Sequence, residues 1–598
     1  MPLLICLLVC YRGLFCWFQQ DDFSWLRMEM HSVADFRRLL LEPFAQGTIR
    51  PLSERFFFLL FRKLFDLHAF PYRLFVFLTQ FANLLLLTAI LRRLTGSRPA
   101  AATGALVWAV NIALLYPLAW TSTYNQILCS FFYLAALLLF LRHVETGRWS
   151  FYFWQGGAFL LGFGALEIIV AYPFVLLVYC LLLARRHAWK ALPLLIPSAL
   201  YTVLHLWFIP RATTGPYALH FTGSMFRTLW NYWTWALGPV RFSKVFPIRE
   251  STALALVLLL TVILFLALLL SEGLRRRTGL FGLAWFLLTL GPVLPLRDHT
   301  NDYYLTIPAI GLAVAAASAL PSLPRLVGLL WLLVYFGCSV PVLERGLDFL
   351  YERGQAAHRL IESVREARAR RPGKTILLTG VSDYLFYAVI YDEGLRTAGL
   401  SGVYLAPDNE GIAPRPGLLP VDHFELPARA TLAALRAGSA VVCDVSSGRL
   451  LDITNAYAAS APARLKAAPP RRVNVGDLYM ADQLGSGWSG FEGTHRWMGR
   501  RAQVRLAGPR SPEDRLRIQA IHSEQPQAGP VHLSVSVDGI PIGRVEIRNN
   551  RTGEHIFPLP PSLIGKQEIT VTLETDRTFR IPGDERDLGL AFGVVELI

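Results

Sequence analysis

Two adjacent carboxylates, Asp21 and Asp22, follow a short apolar N-terminal run in a chain that stays largely apolar for its first 343 residues. If that run spans a bilayer, the acids stand at its outer boundary with water. Charge at that depth is costly unless it is paired or wet. A membrane protein has little structural use for a naked acidic pair there, so the pair reads as a site. The other polar residues at outer helix ends are few: Arg50, Glu167, Arg297, Asp298, His299 and Asp302, with Tyr303 and Tyr304 following. They mix acids with arginines. An acid can take the proton from an attacking hydroxyl, and an arginine fork can hold a leaving phosphate bidentately. Sugar transfer from a lipid phosphate at the membrane surface requires that combination. Most of the charges between 297 and 302 read equally well as solvated loop residues. Glu167 does not, because it sits in an apolar stretch with no other charge near it in sequence.

The elements that must position these residues follow from composition. The chain has 598 residues, 53% hydrophobic and 17% charged, which excludes an ordinary soluble globule and implies a polytopic α-helical membrane protein. The apolar sequence ends near 343, so a membrane domain is expected over 1–343. A linker with a small extracytoplasmic α/β segment is expected over 344–471, and a β-sandwich over 472–598. Apolar stretches near bilayer length lie at 70–91, 100–118, 124–141, 149–166, 168–184, 191–209, 252–271, 279–296, 303–320 and 325–342. With the N-terminal run they make about eleven transmembrane helices. Residues 2–10 are too short to cross and lack the basic flank of a signal peptide, which suggests a chain start inside the first helix, with part of that span missing.

Charge orients the spans. Arg92, Arg93 and Arg98; Arg142 and Arg148; Arg185, Arg186 and Lys190; Arg275, Arg276 and Arg277; and Arg325 all fall in alternate loops. The positive-inside rule makes those loops cytoplasmic. Residues 11–69, 121–123, 167, 210–251 and 297–302 then lie outside an inner (plasma) membrane, as does the tail from 344. The net charge of +15 is largely this orientation signal, and no nucleic-acid partner is expected. Only Cys443 of seven cysteines lies in the tail, so the compartment is not legible from redox chemistry.

The long outer loops look structured. Ser32-Val33-Ala34-Asp35 reads as a capping box opening a helix over 31–47, with Phe36, Leu39 and Leu40 on one face. Residues 53–66 read as an interfacial helix with Phe56, Leu59, Leu60 and Phe61 set against Arg55, Arg62 and Lys63. Between 210 and 251, an interfacial aromatic belt accounts for Trp230, Tyr232, Trp233 and Trp235, but not for Arg241 and Lys244 on the outer face. In the tail, apolar runs at 375–378 and 440–445 flank helical sequence. Alternating runs at 531–537, 544–547 and 568–573, with a turn at Asp538-Gly539, read as antiparallel strands. Trp488, Trp497 and Arg496 either form a carbohydrate-binding face or pack the sandwich. Large aromatics in small β-domains favour packing.

Several of these motifs resemble one superfamily. Gln19-Gln20-Asp21-Asp22-Phe23, Thr48-Ile49-Arg50-Pro51-Leu52, and Phe70-Pro71-Tyr72-Arg73 with Asn83 look like the N-terminal half of GT-C fold glycosyltransferases of the protein O-mannosyltransferase type. Ala165-Leu166-Glu167 with Ala171-Tyr172-Pro173 is similar to their Ser-Lys-Glu…Pro element. Asp302-Tyr303-Tyr304-Leu305, Pro308 and Gly311 look like their Arg-Tyr-Leu…Pro…Gly element. The similarity covers roughly residues 11–320, and the C-terminal segments around Trp488, Trp497 and Arg586 resemble β-sandwich modules of some bacterial glycosyltransferases. The resemblance implies a polyprenyl-phosphate-linked sugar donor, membrane lipid contacts, and a glycan, lipid or protein acceptor. It implies Asp21 as base with Asp22 as second acid, and Arg50 facing the donor phosphate. No cofactor is certain, and a divalent metal is left open. Two departures matter. Asp302 stands where relatives carry arginine, which would pass phosphate binding to Arg297, Arg241 or Lys244, and Leu166 replaces a lysine. Glu167, Asp298, His299, Asp302 and Tyr303 are expected in support. The rival readings are a transporter or flippase for lipid-linked sugars and a non-catalytic glycan-sensing protein.

The orientation is testable by cysteine labelling. A cysteine introduced near residues 271–273 should react with an impermeant reagent only after permeabilisation. One near Gly487 should react in cells with an intact inner membrane. The reverse pattern would move the acid pair to the cytoplasm and remove the lipid-phosphate chemistry.

Overall fold

The computed structural model describes the chain except for residues 29–34, 36, 38–48, 209–214, 216, 408, 410–411, 414, 416–417, 466–468, 491, 493–494, 522–529, 548–552 and 581–585. The helix expected over 31–47 lies outside the described residues. The rest forms two compact units, Met1–Ile361 with Tyr387–Gly399, and Glu362–Phe386 with Leu400–Ile598.

The first unit is helical, and each of the ten expected apolar stretches carries a helix. Among the described residues five helices are long and apolar enough to cross a membrane: Ala69–Thr95, Thr121–Thr146, Arg185–Phe208, Glu250–Leu270 and Arg325–Arg370. A bent pair, Arg98–Ala109 and Ile112–Ala119 meeting at 56°, counts as a sixth if it is one span. Its start is set by Gly96, left-handed at φ +66°, and by the Ser97 side chain, which accepts the Ala100 N–H at 3.3 Å. Its break is stabilised by Asn111, which is 1% exposed. The Asn111 amide donates to the Ala236 carbonyl at 2.9 Å and bonds the Tyr335 hydroxyl at 2.7 Å, while its oxygen accepts the Ala113 N–H. The freed backbone is thus satisfied inside the bundle.

Pro308–Ala319 is buried along its whole length. It packs backbone to backbone against Gly273–Leu290 where two glycines face each other. A Cβ on Gly311 would lie 2.4 Å from the Gly282 carbonyl, and one on Gly282 would lie 2.6 Å from the Gly311 carbonyl. That close approach gives Gly311 of the sequence motif its physical reason.

Three expectations are corrected. The apolar stretch at 325–342 belongs to a helix that runs on to Arg370, because helical sequence outlasts hydropathy. At 1.5 Å per residue this helix is roughly twice the ~30 Å hydrocarbon thickness. The helix over 53–66 buries a different face from the one expected. Its first turn, Pro51–Phe56, is a wide π turn, which rotates the residues after it about the helix axis. Phe57, Phe58 and Phe61 are buried there, while Phe56 is 45% exposed and Leu60 is 37% exposed. The tryptophan-rich segment is also more than an interfacial belt: it forms the helix Ser224–Leu237, with Tyr232 and Trp233 buried.

The second unit holds the expected small α/β element. Its sheet has Thr375–Thr379 parallel to both Val403–Leu405 and Ala440–Asp444, with Leu451–Asp452 added antiparallel. Beyond residue 472 two antiparallel sheets share one core. Val504, Val535 and Val571 come from one sheet, and Ile518, Phe592 and Val595 from the other. Trp488 packs against that core, donates its indole N–H to the Gln503 carbonyl at 2.8 Å, and meets Phe592 edge-on. Arg496 is spent on the Val475 and Ser489 carbonyls. Trp497 is half-buried, edge-on to Phe579, with its N–H on Glu492.

Trp488→Ala should therefore lower the melting temperature of the full chain, at a cost of about 3 kcal/mol for losing a packed indole. Trp497→Ala should cost clearly less. Differential scanning calorimetry of the two variants checks the order. Unchanged melting in Trp488→Ala would return the binding-face reading.

Candidate active site

The acid pair sits on a turn that the long helix braces. Gln19 donates its side-chain amide to the Leu350 carbonyl at 3.2 Å. The Trp17 ring stacks on His358 at 4.5 Å, and Gly354 lies against the Trp17 backbone so closely that a Cβ would come within 2.7 Å of its carbonyl. Gln20, left-handed at φ +55°, donates its N–H to the Ala388 carbonyl at 2.8 Å. The short segment Tyr387–Gly399 thus returns to this turn, and the Ser24 hydroxyl donates to Asp392 at 3.3 Å.

The turn separates the two acids. Asp22 is fully buried and accepts three hydrogen bonds: the Ser122 N–H at 2.7 Å and hydroxyl at 2.6 Å on one oxygen, and the Gln19 N–H at 3.1 Å on the other. Burial raises its carboxyl to about 6, with the bonds from Ser122 and Gln19 pulling the other way. Asp21 instead lines a cavity of about 460 Å³. Its Oδ1 is buried and accepts no hydrogen bond among the described residues. Burial, then the neighbouring Asp22 and Asp392 carboxylates, hold Asp21 well above the usual carboxylate range.

Across the same cavity stands Arg50. The π turn that follows it is clipped to the loop before Glu167: the Leu52 N–H donates to the Gly164 carbonyl at 2.9 Å, and the Ser53 hydroxyl to the Ala165 carbonyl at 2.7 Å. That docking sets Arg50 on Glu167, with Nε 2.9 Å and Nη2 2.9 Å from one carboxylate oxygen. On its other side Nη1 donates to Glu54 at 2.6 Å. Glu54 is 2% exposed and also accepts from the Asn125 amide at 3.1 Å. Burial lowers the Arg50 pKa, but the two glutamates outweigh it and fix the guanidinium as a cation. Glu54 was not singled out in the sequence, although its place four residues after Arg50 is the helical ion-pair spacing.

The other candidates fall in two groups. Glu167, Tyr303 and Tyr304 line the cavity with Asp21 and Arg50. Arg241, Lys244, Arg297, Asp298, His299 and Asp302 are not part of its lining. Arg241 lies over the Trp235 ring at 3.8 Å and pairs with Asp302 at 2.6 Å. Asp302 itself is 7% exposed. Lys244 faces Glu250 at 3.4 Å, and Asp298 takes Arg297 and His220, each at 3.1 Å. His299 rests on the Tyr217 ring at 4.3 Å and bonds Tyr303 at 3.4 Å, so it backs the cavity wall. Among the described residues no group of three or more His, Cys, Asp or Glu side chains is placed to hold a metal ion.

Residues 50–212 match the family described as Dolichyl-phosphate-mannose-protein mannosyltransferase. That stretch carries Arg50, Glu54 and Glu167, and it bears out the resemblance drawn from the motifs. No curated protein matches the chain. Among solved structures, arabinofuranosyltransferase AftD from Mycobacteria is similar at 14% identity and TM-score 0.45, over 100% of this chain and 58% of its own. ArnT from Cupriavidus metallidurans bound to undecaprenyl phosphate is similar at 13% identity and TM-score 0.39, over 80% of this chain and 96% of its own. Arabinosyltransferase EmbB from Mycobacterium smegmatis is similar at 14% identity and TM-score 0.28, over 100% of this chain and 64% of its own. The chain thus spans little more than half the length of AftD.

The division of the acid pair has a direct consequence. In Asp22→Asn an amide N–H₂ must face donors on Ser122 or Gln19, so the variant should lose about 2 kcal/mol of stability. Thermal unfolding in detergent reads this. A double-mutant cycle with Ser122→Ala should be strongly non-additive. Unchanged melting in Asp22→Asn would mean that the carboxylate does not hold the turn.

Proposed function

We propose that this multi-pass membrane protein is a glycosyltransferase that moves a sugar from a polyprenyl-phosphate donor to an acceptor hydroxyl in the cavity between Asp21 and Arg50. One observation carries the reading: a carboxylate with an unsatisfied buried oxygen and a fixed cation line the same cavity. The family match over 50–212 supports it, because the cation and both its acids fall within that stretch.

Asp21 takes the proton of the acceptor hydroxyl as its oxygen attacks the sugar C1. The bond from C1 to the phosphate oxygen breaks, and the phosphate leaves with the electron pair. A single displacement of this kind inverts the anomeric carbon. Arg50 engages its Nε and one N–H from each Nη with Glu167 and Glu54. A guanidinium has five N–H donors, so one on each Nη remains to meet two phosphate oxygens. Fixed donors at the point where charge develops contribute several kcal/mol to such a step. Arg241, Lys244 and Arg297 do not line this cavity whereas Arg50 does, so Arg50 is the phosphate contact in this reading. Eleven spans, an outward-facing cavity and an extracytoplasmic tail complete the proposal, since a polyprenyl-phosphate sugar is used where its headgroup meets water.

Asp21→Asn should abolish transfer from a radiolabelled polyprenyl-phosphate sugar without loss of insertion. Arg50→Ala should weaken donor use, and Arg50→Lys should restore part of it, keeping the charge without the fork. Asp21 must be ionised to act as base, and its folded pKa is raised. Activity should therefore rise with pH along an acid limb placed above the ~3.9 of an ordinary aspartate. Asp392→Asn removes a like charge and should move that limb to lower pH. Turnover in Asp21→Asn, or a limb that ignores Asp392, would sink the base assignment.

A further inference from the structure

Outside the catalytic cavity, the second unit holds a cavity of about 250 Å³ where the α/β sheet and the sandwich join. The joint itself, Pro469 to Arg472, forms one wall, and sites between structural lobes are common ligand positions. Its polar lining is Asp422, Glu425, Arg471, Arg472 and Arg510, and four prolines stiffen the remainder.

Two of the three arginine side chains are held in place by the fold. Arg472 is the floor: its Nη1 donates to the His423 carbonyl at 3.2 Å, and its Nε lies 3.6 Å from Glu596, which Arg517 also grips. Arg471 donates to Asp514 at 3.1 Å, and the same Asp514 oxygen accepts the Arg510 backbone N–H at 2.7 Å. One carboxylate therefore holds the Arg471 side chain and the Arg510 backbone, leaving the exposed Arg510 guanidinium and most of the Arg471 N–H groups facing the cavity. Asp422 and Glu425 supply carboxylate acceptors to the same lining.

We infer that this cavity is a saccharide-binding site for a sugar that carries an anionic group, with the anion on Arg471 and Arg510 and the ring hydroxyls on Asp422 and Glu425. Two features select that chemistry. Planar guanidinium forks match a carboxylate or a phosphate, and carboxylates accept hydrogen bonds from hydroxyls. The volume lies below the ~300 Å³ at which drug-sized pockets begin, which suits one sugar ring rather than a chain. Such a site would give a sugar-transferring protein a means of retaining an acidic glycan. It stands apart from the transfer reading, since none of its residues belongs to the catalytic cavity.

The test is a saturation-transfer NMR titration of the full-length Asp21→Asn protein in nanodiscs, so that turnover does not contribute. The probes are methyl glucuronide, glucose 6-phosphate and methyl glucoside. At least one anionic probe should bind tenfold or more tightly than the neutral one, and which does so identifies the anion. Arg510→Ala should abolish that preference with melting unchanged, because its side chain is exposed. Asp422→Asn should weaken every bound probe several-fold while leaving the preference for charge. Equal binding of all three probes, no binding at millimolar concentration, or a preference that survives Arg510→Ala would overturn the site. None of these results bears on whether Asp21 is a base.

Discussion

A cation shared by two carboxylates organises the candidate active site. Arg50 reaches Glu167 and Glu54 at once, and Glu54 has almost no contact with solvent. A buried carboxylate left alone is strongly unfavourable, so the pairing constrains everything around it. The π turn must bring Glu54 back under Arg50, the backbone of Leu52 must dock on Gly164, and Asn125 must satisfy the same Glu54 oxygen. Space is short at the docking point: a Cβ on Gly164 would meet the Leu52 side chain at 2.8 Å. The geometry that aims the guanidinium is thus set by the cost of burying its partners.

The acid pair shows the same principle applied in opposite ways to two neighbours. Asp22 has its charge compensated by three donors and holds the turn to the start of the Thr121–Thr146 segment. Asp21 keeps an oxygen without a donor and faces the cavity. A carboxylate short of donors is more basic, and a saturated one is more stable. One rigid turn places both kinds side by side. Asp392, arriving from the distant Tyr387–Gly399 segment, adds a like charge that raises Asp21 further. Residues beyond the apolar region thereby take part in tuning the site.

Three cations outside the cavity illustrate how charge can mislead. Arg241 and Lys244 stand in a loop that the charge rule expects outside, which with Arg297 invites a functional reading. Each is opposed by a carboxylate within 3.4 Å. Asp302 is committed to Arg241, whose guanidinium lies over the Trp235 ring.

By itself the sequence determined the helical membrane region, the placement of a helix on each apolar stretch, the small α/β element and the antiparallel tail. Each arises from a local signal, a run of apolar residues or an alternation of period two. It also marked Asp21, Arg50 and Glu167, because a charge in apolar surroundings stands out in one dimension. Tertiary structure alone decided that Asp22 is saturated while Asp21 keeps an open oxygen, since both look identical until Ser122, a hundred residues away, gives Asp22 both its N–H and its hydroxyl. It decided that Glu54 closes the clamp, that a π turn rotates the helix after it, and that the Arg325–Arg370 helix continues far enough to brace the turn that carries the acid pair. Hydropathy reports what a segment avoids, whereas partners are chosen by distance in three dimensions, and long-range hydrogen bonds leave no period in the chain.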